Sequence, residues 1–318
     1  MAAINATSSQ AVPTKAKKKS GVAREEAKWG WIFISPWILG FLVFTFFPIM
    51  ASLFFSLTNY NPIHIDQMSF IGLTNYLRMF NDALVGQSVL VTLKFALISV
   101  PLGLAIPLGL ALLVNSRHLF GKSMFRTLFY LPYMIPVVAG VVVWGGILNS
   151  DSGWLNIILK NVFGIIGPAW FQDENWVVPA LVIMGFWGVG NTMLIMLSGL
   201  QNVPTELYEA ATMDGASGPR KFLNITLPMI SPIIFYNLTL ALIGSFQYFT
   251  QAYIISNGRG DPNFATLFYN LYLYQQSFSY LDMGYGCAMA WAMFIVVLLL
   301  TAVLFSTSRR WVYYAGGD

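Results

Sequence analysis

One stretch of the chain gathers acidic, small and turn-forming residues at fixed spacing. It reads Gln201-Asn-Val-Pro-Thr-Glu-Leu-Tyr-Glu-Ala-Ala-Thr-Met-Asp-Gly-Ala-Ser-Gly-Pro-Arg-Lys-Phe-Leu-Asn-Ile-Thr-Leu-Pro228. Pro204-Thr205 predicts a helix start, with Thr205 as N-cap and Glu206 and Glu209 favoured by the helix dipole. Asp214-Gly215 predicts a stop and turn, and Ser217 with Pro219 opens a second helix. Phe222, Ile225 and Leu227 then lead into an apolar run. Ala210, Ala211 and Ala216 leave a smooth patch where another backbone could approach, and Glu209 and Asp214 place charge at its rim. The chemistry on offer is therefore docking. Taken alone, the same residues also fit an ordinary amphipathic surface helix.

Bond-making chemistry finds little support elsewhere. A single cysteine, Cys287, rules out an intrachain disulfide, a multi-Cys zinc site and an iron–sulfur cluster. His64 and His118 stand far apart and read as loop histidines, so no metal site is expected. No Gly-x-x-x-x-Gly-Lys-Ser/Thr loop occurs, so the chain is not expected to hydrolyse ATP. No catalytic constellation is visible.

The elements that must carry the docking segment follow from composition. The chain is 57% hydrophobic and 9% charged, with a mean hydropathy of +0.65; soluble domains carry about 25% charged residues. Such a chain needs lipid as its solvent. Crossing about 30 Å of hydrocarbon takes about 20 apolar residues in a helix. Six runs qualify: Trp31–Leu57, Val89–Val114, Thr127–Leu148, Val177–Gly199, Leu227–Phe246 and Gly284–Thr307. Lys94 is the one charged side chain within them, near an end from which it can snorkel. All but four of the 17 Lys and Arg fall in the N-terminal tail, the second-to-third connection, the fourth-to-fifth connection and the C-terminus. The four are Arg78, Lys94, Lys160 and Arg259. Positive charge marks the inside, so both termini and the 201–228 loop are expected in the cytoplasm. The basic residues flank spans, which excludes nucleic acid as the reason for the +4 net charge.

The expected organisation is a disordered basic tail over 1–28, a first span and outer loop over 29–88, a five-helix core over 89–308 and a tail over 309–318. The first apolar run is too long for a signal-peptide core and has no cleavage site. Pro48, Pro101, Pro107, Pro132, Pro136, Pro228 and Pro232 predict kinks, tolerated where neighbours satisfy the freed backbone. No 20–50-residue repeat is visible. The spans hold no ionisable group near a centre, which disfavours an ion-coupled secondary transporter. Trp187 and Asn191, four apart, are expected on one helix face. Together with Phe246, Gln247, Tyr248 and Gln251 they offer the aromatic faces and amides that a sugar would need; helix packing and interhelical hydrogen bonding are the competing explanation.

Glu209-Ala210-Ala211-x-x-Asp214-Gly215-Ala216, followed by Phe222-x-x-Ile225-x-Leu227-Pro228, resembles the EAA loop of ABC import permeases, and it precedes the penultimate span as in that family. Trp187-Gly-Val-Gly-Asn191, Leu200-Gln-Asn-Val-Pro204 and Phe246-Gln-Tyr-Phe249 resemble the sugar and glycerol-phosphate permeases of the maltose type. So do Ser35-Pro36-Trp37 through Pro48, Ser56-Leu-Thr-Asn-Tyr60 and Phe70-Ile-Gly-Leu-Thr-Asn-Tyr76, which are similar to the first of the two permeases. Asn257-Gly-Arg-Gly-Asp-Pro262 departs from the family's Gly-Gly-Pro run. The resemblance covers nearly all of residues 30–310. It implies an all-α integral membrane protein with a MetI-like type I importer core, in a prokaryotic inner membrane. It implies a second permease, a different chain, together with two ATPase subunits that use ATP and Mg and an extracytoplasmic binding protein. Glu209, Ala210, Ala211, Asp214, Gly215 and Ala216 would couple to the ATPase, and no cofactor would be bound by this chain. Glycerol phosphate, a peptide or an amino acid is the alternative cargo to a sugar or polyol.

Overall fold

The computed structural model describes residues 21–313, and all described secondary structure is helical apart from one isolated bridge between Thr58 and Phe70. Part of the tail expected over 1–28 lies outside the described residues, as do residues 314–318. From Gly21 the chain is helical, because Arg24, Glu25, Glu26 and Lys28 are good helix formers that continue the register of the apolar run.

The chain divides into two units, Met1–Ser52 and Leu53–Asp318. In the first, the helix Gly21–Phe41 passes through a π turn at Leu42–Phe46 before resuming at Phe47. Pro48 explains the wide turn: its ring cannot donate to the carbonyl one turn back, so the ladder slips by a residue. The same device recurs at Phe222–Thr226, two residues before Pro228.

The second unit supplies the other membrane helices. Ala83–Asn115, Ser231–Ile255 and Met283–Ser308 are each long and apolar enough to cross, as is Arg24–Ser56. The remaining two spans are broken. Thr127–Leu148, expected as one helix, is Lys122–Met134 followed by Val137–Ile147 at 101°. Pro136 forces Ile135 into an extended conformation, φ −75° and ψ 129°. Val137–Ile147 has 11 residues, about 16 Å of helix, and does not cross alone. The fourth span, Val177–Gly188 with Gly190–Gln201, bends by 54°. Counting each bent pair as one span gives six among the described residues.

Three apolar cores lie among the described residues of this unit, the smallest around Leu148, Trp170 and Ala180, and the other two tie its long helices together. One joins the second and fourth spans to residues 267–289, through Phe95, Leu181, Phe268, Leu271, Tyr285 and Met289. The other lies toward the opposite end, where Ala111, Val114, Met196, Leu200 and Ile230 pack with Phe125, Phe129 and Tyr208. It therefore gathers the 117–130 segment and the 201–228 loop at one end of the bundle.

At the first core's end sits a polar cluster. Asp82 caps the second span by accepting from the Leu84 N–H at 3.0 Å, and also accepts from the Tyr272 and Tyr285 hydroxyls at 2.7 and 2.9 Å. Burial pushes the Asp82 carboxyl up, but these hydrogen bonds outweigh it and hold the group below its ordinary value of 3.8. Arg78 pairs with Asp282 at 2.6 Å and lies 3.9 Å above the Tyr285 ring. Burial works to lower the guanidinium, and Asp282 more than reverses it.

Candidate functional site

The 201–228 loop folds into a short helix at Thr205–Met213. Its N-cap is Pro204, so Thr205 is the first helical residue and not the cap expected for it. The preceding chain leaves Pro204 extended, at φ −57° and ψ 132°, and one position C-terminal to it the helix has already begun. The stop is as expected. Asp214 is the C-cap, and Gly215 takes φ +72°, where a side chain would be strained. The Gly215 N–H donates to the Thr212 carbonyl at 3.0 Å and the Ala216 N–H to the Ala211 carbonyl at 2.8 Å. That is a Schellman closure, and it satisfies the carbonyls a helix end leaves open.

Two side-chain bridges tie this helix to the foot of the fifth span. The Tyr208 hydroxyl and Thr226 Oγ1 share a hydrogen bond of 2.8 Å, and Thr226 is buried. Lys221 Nζ donates to Thr212 Oγ1 at 2.8 Å. Tyr208 also packs on the core of the second, fourth and fifth spans. The opposite face is free: Glu209, Ala210, Asp214 and Gly215 are exposed, Ala211 and Ala216 are half-buried, and Met213 is 88% exposed. Neither the Glu209 nor the Asp214 carboxylate has an ion-pair partner among the described residues. The result is a knob held from beneath, with a smooth, acid-rimmed crown. Tyr208, Thr212, Lys221 and Thr226 were not expected to matter, because each bridge joins residues 9 or 18 apart across a turn whose path is set only in three dimensions.

The six residues expected on a solute path do not converge. Trp187, Tyr248 and Gln251 line one cavity of about 200 Å³, with Tyr133, Trp144 and Gly140 among its other walls. The Trp144 and Trp187 rings meet edge to face, 6.0 Å apart, and Trp144 Nε1 is buried with no hydrogen-bond partner among the described residues. Asn191, Phe246 and Gln247 are not on these walls. The face-sharing argument for Trp187 and Asn191 fails because a 3₁₀ segment, Phe186–Gly188, and the break at Val189 separate them. Phe246 is buried against a different, almost wholly apolar cavity with Tyr269 and Met293. Gln247 is exposed. Trp144 and Tyr133 escape sequence reasoning because the Pro136 elbow brings them to the fourth span.

Residues 101–311 match the family described as binding-protein-dependent transport system inner membrane component. The probable ABC transporter permease protein YesP of Bacillus subtilis is 43% identical over 301 residues, 94% of this chain and 96% of that one. The arabinooligosaccharides transport system permease protein AraP of the same organism is 32% identical over 86% of each chain. The trehalose/maltose transport system permease protein MalF of Thermococcus litoralis is 32% identical over 89% of this chain and 95% of that one. Among solved structures, a chain of a bacterial alginate ABC transporter, in complex with an alginate pentasaccharide-bound periplasmic protein, superposes with a TM-score of 0.77. The two share 20% identity, with 92% of this chain and 98% of that one covered, so the likeness is one of fold. The chain belongs to the inner membrane components of binding-protein-dependent transport systems, the permeases of ABC importers. It is a membrane permease and not an enzyme, since ATP hydrolysis in this family lies in separate subunits.

Proposed function

We propose that this chain, paired with a second, different permease chain, forms the path by which an ABC importer carries a carbohydrate delivered by an extracytoplasmic binding protein. Its termini and the Thr205–Met213 helix face the cytoplasm, in keeping with the Lys and Arg in the connections at that end. Two ATPase subunits bind there and use ATP and its Mg²⁺. The helix seats in one of them through Glu209, Ala210, Ala211, Asp214, Gly215 and Ala216. The observation that carries this reading is the crown's combination of exposure above and two hydrogen-bonded braces below. A braced helix passes displacement to the fifth span as a rigid body, where a floppy one would absorb it.

The carbohydrate assignment draws support from the cargo named for AraP and MalF. It draws further support from the cavity of Trp144, Trp187, Tyr133, Tyr248 and Gln251. Aromatic faces suit the C–H faces of a sugar ring, and Gln251 and the orphan Trp144 N–H suit its hydroxyls. Uptake of labelled oligosaccharides into vesicles holding the complete complex tests this. Trp187→Ala is expected to cut uptake at least tenfold while ATPase assembly survives. Unaltered uptake by Trp187→Ala and Gln251→Ala would remove the cavity from the path.

A further inference from the structure

Another cavity, of about 230 Å³, shares two wall residues, Gly185 and Tyr248, with the aromatic cavity described above. Its further walls include Ser99 and Gly103 of the second span and Gly244 and Ser245 of the fifth. The shared residues stand where two spans are interrupted. Gly185 ends the helix Val177–Gly185 and precedes the 3₁₀ segment Phe186–Gly188. Tyr248 lies in the gap between the helices Ser231–Phe246 and Thr250–Ile255. At membrane depth, non-helical backbone is stable only inside protein or beside a water-filled cavity. Both interruptions border cavities, so the space they face holds water and not lipid.

Glycine keeps the same space open. A Cβ at Gly103, Gly185 or Gly244 would meet nothing within 4 Å, and none of the three has a positive φ. Inside a helix glycine is less stable than alanine, and at Gly103 and Gly244 no packing among the described residues requires it. Ser245 Oγ donates to the Leu242 carbonyl at 2.7 Å and keeps its lone pairs for another donor. The Tyr248 ring packs on those of Phe95 and Phe268, with centroids 4.2 and 4.8 Å away, and its hydroxyl bonds to no described residue.

Given the carbohydrate reading of the aromatic cavity, on which this rests, we propose that the cargo's path continues through the glycine-lined cavity, with Gly185 and Tyr248 as the neck between the two. Neither space alone reaches the roughly 300–1,000 Å³ of a typical small-molecule site, and the two joined do. At the neck the Tyr248 hydroxyl exchanges a hydrogen bond with a sugar hydroxyl, and Ser99 and Ser245 do so beyond it. From Tyr248 to Gly244 the cavity follows the fifth span toward the end braced to the knob, so cargo leaving the aromatic cavity moves toward the ATPase side.

The test uses the complete importer in nanodiscs, with Cys287→Ala removing this chain's one native thiol. Gly103→Cys and Gly244→Cys are compared with Leu97→Cys, a control on the second span that lines neither cavity and is 75% exposed. The probe is the anionic thiol reagent sulfonatoethyl methanethiosulfonate, applied with and without ATP, and labelling of this chain is read by mass. In at least one of the two conditions the glycine positions should react about tenfold or more faster than Leu97→Cys, since the anion enters water and not lipid or a packed helix interface. Uptake of labelled oligosaccharides into vesicles is then measured for Gly103→Met, which fills the glycine-lined cavity and leaves the residues of the aromatic one in place. Uptake should fall about tenfold or more, while Gly103→Ala retains most of it. If Gly103→Met fails to assemble, Gly244→Met takes its place. Labelling at the glycine positions as slow as at Leu97→Cys would overturn the proposal, with lipid or a helix of the second permease filling the cavity instead. So would fast labelling together with full uptake by Gly103→Met. Failure of the aromatic-cavity reading looks different, as unaltered uptake by Trp187→Ala with the glycine positions still labelled.

Discussion

Gly190 is where the fourth span presses hardest on the elbow of the third. A Cβ built there would overlap the Phe129 carbonyl and lie 2.6 Å from Tyr130 Cα. Both obstacles are backbone, so no side chain can rotate away. Gly190→Ala must therefore push apart the segment 122–134 and the helix Gly190–Gln201, and overpacking of this kind costs roughly 1–3 kcal/mol. Gly188, two residues earlier, meets nothing within 4 Å, so Gly188→Ala is the matched control. The assay is the thermal midpoint of the purified chain in one fixed detergent. At about 2–4 °C per kcal/mol, Gly190→Ala should lower the midpoint by several degrees. Gly188→Ala should leave it level or slightly raised, since alanine restricts the unfolded chain. Uptake should fall with Gly190→Ala, because Trp187 and Gly188 line the cavity beside the displaced elbow. Equal midpoints for the two variants would refute the close approach and, with it, the elbow geometry.

Tyr208→Phe and Thr226→Val each remove one half of the brace beneath the knob. A double-mutant cycle in thermal stability should show about 1 kcal/mol of coupling, and an additive pair would dismiss the brace. Asp82 is held below its ordinary value, so its contribution is present above pH 3.8 and is lost as pH falls through the lower folded-state value. The wild-type midpoint should therefore drop below about pH 4 more than that of Asp82→Asn; parallel pH curves would show the cluster to be inert. Tyr285→Phe leaves Asp82 with one fewer donor and should cost roughly 1–3 kcal/mol, read as a lower midpoint at pH 7.

Much of the membrane architecture is legible in the residues because lipid imposes one rule, about 20 apolar positions per crossing, and few other arrangements satisfy it. The knob is nearly as legible. Its stop is written in Asp214-Gly215, where only glycine tolerates the φ of +72° without strain. Its start is misplaced by one residue, Thr205 for Pro204, as helix ends commonly are. The third span shows the limit. Its run of apolar residues reads as one helix, and only the cost of an αR conformation before Pro136 breaks it. That break relocates Trp144 and Tyr133, so the cavity could not be drawn from residues on the fourth and fifth spans alone. The Trp187–Asn191 spacing misleads for a related reason, since periodicity assumes an unbroken helix. Tyr208–Thr226 and Asp82–Tyr285 stay hidden because their partners lie 18 and 203 residues apart.

The most direct test is the ATPase activity of the complete importer, reconstituted with its binding protein and cargo, comparing wild type with Glu209→Lys. Glu209 is exposed and has no ion-pair partner among the described residues, so charge reversal should leave this subunit's own thermal midpoint unchanged. Cargo-stimulated hydrolysis should fall about tenfold or more, equivalent to about 1.4 kcal/mol of coupling. Full stimulation in the Glu209→Lys complex would contradict the coupling role of the knob, and uptake by this chain without any ATPase would contradict the importer mechanism itself.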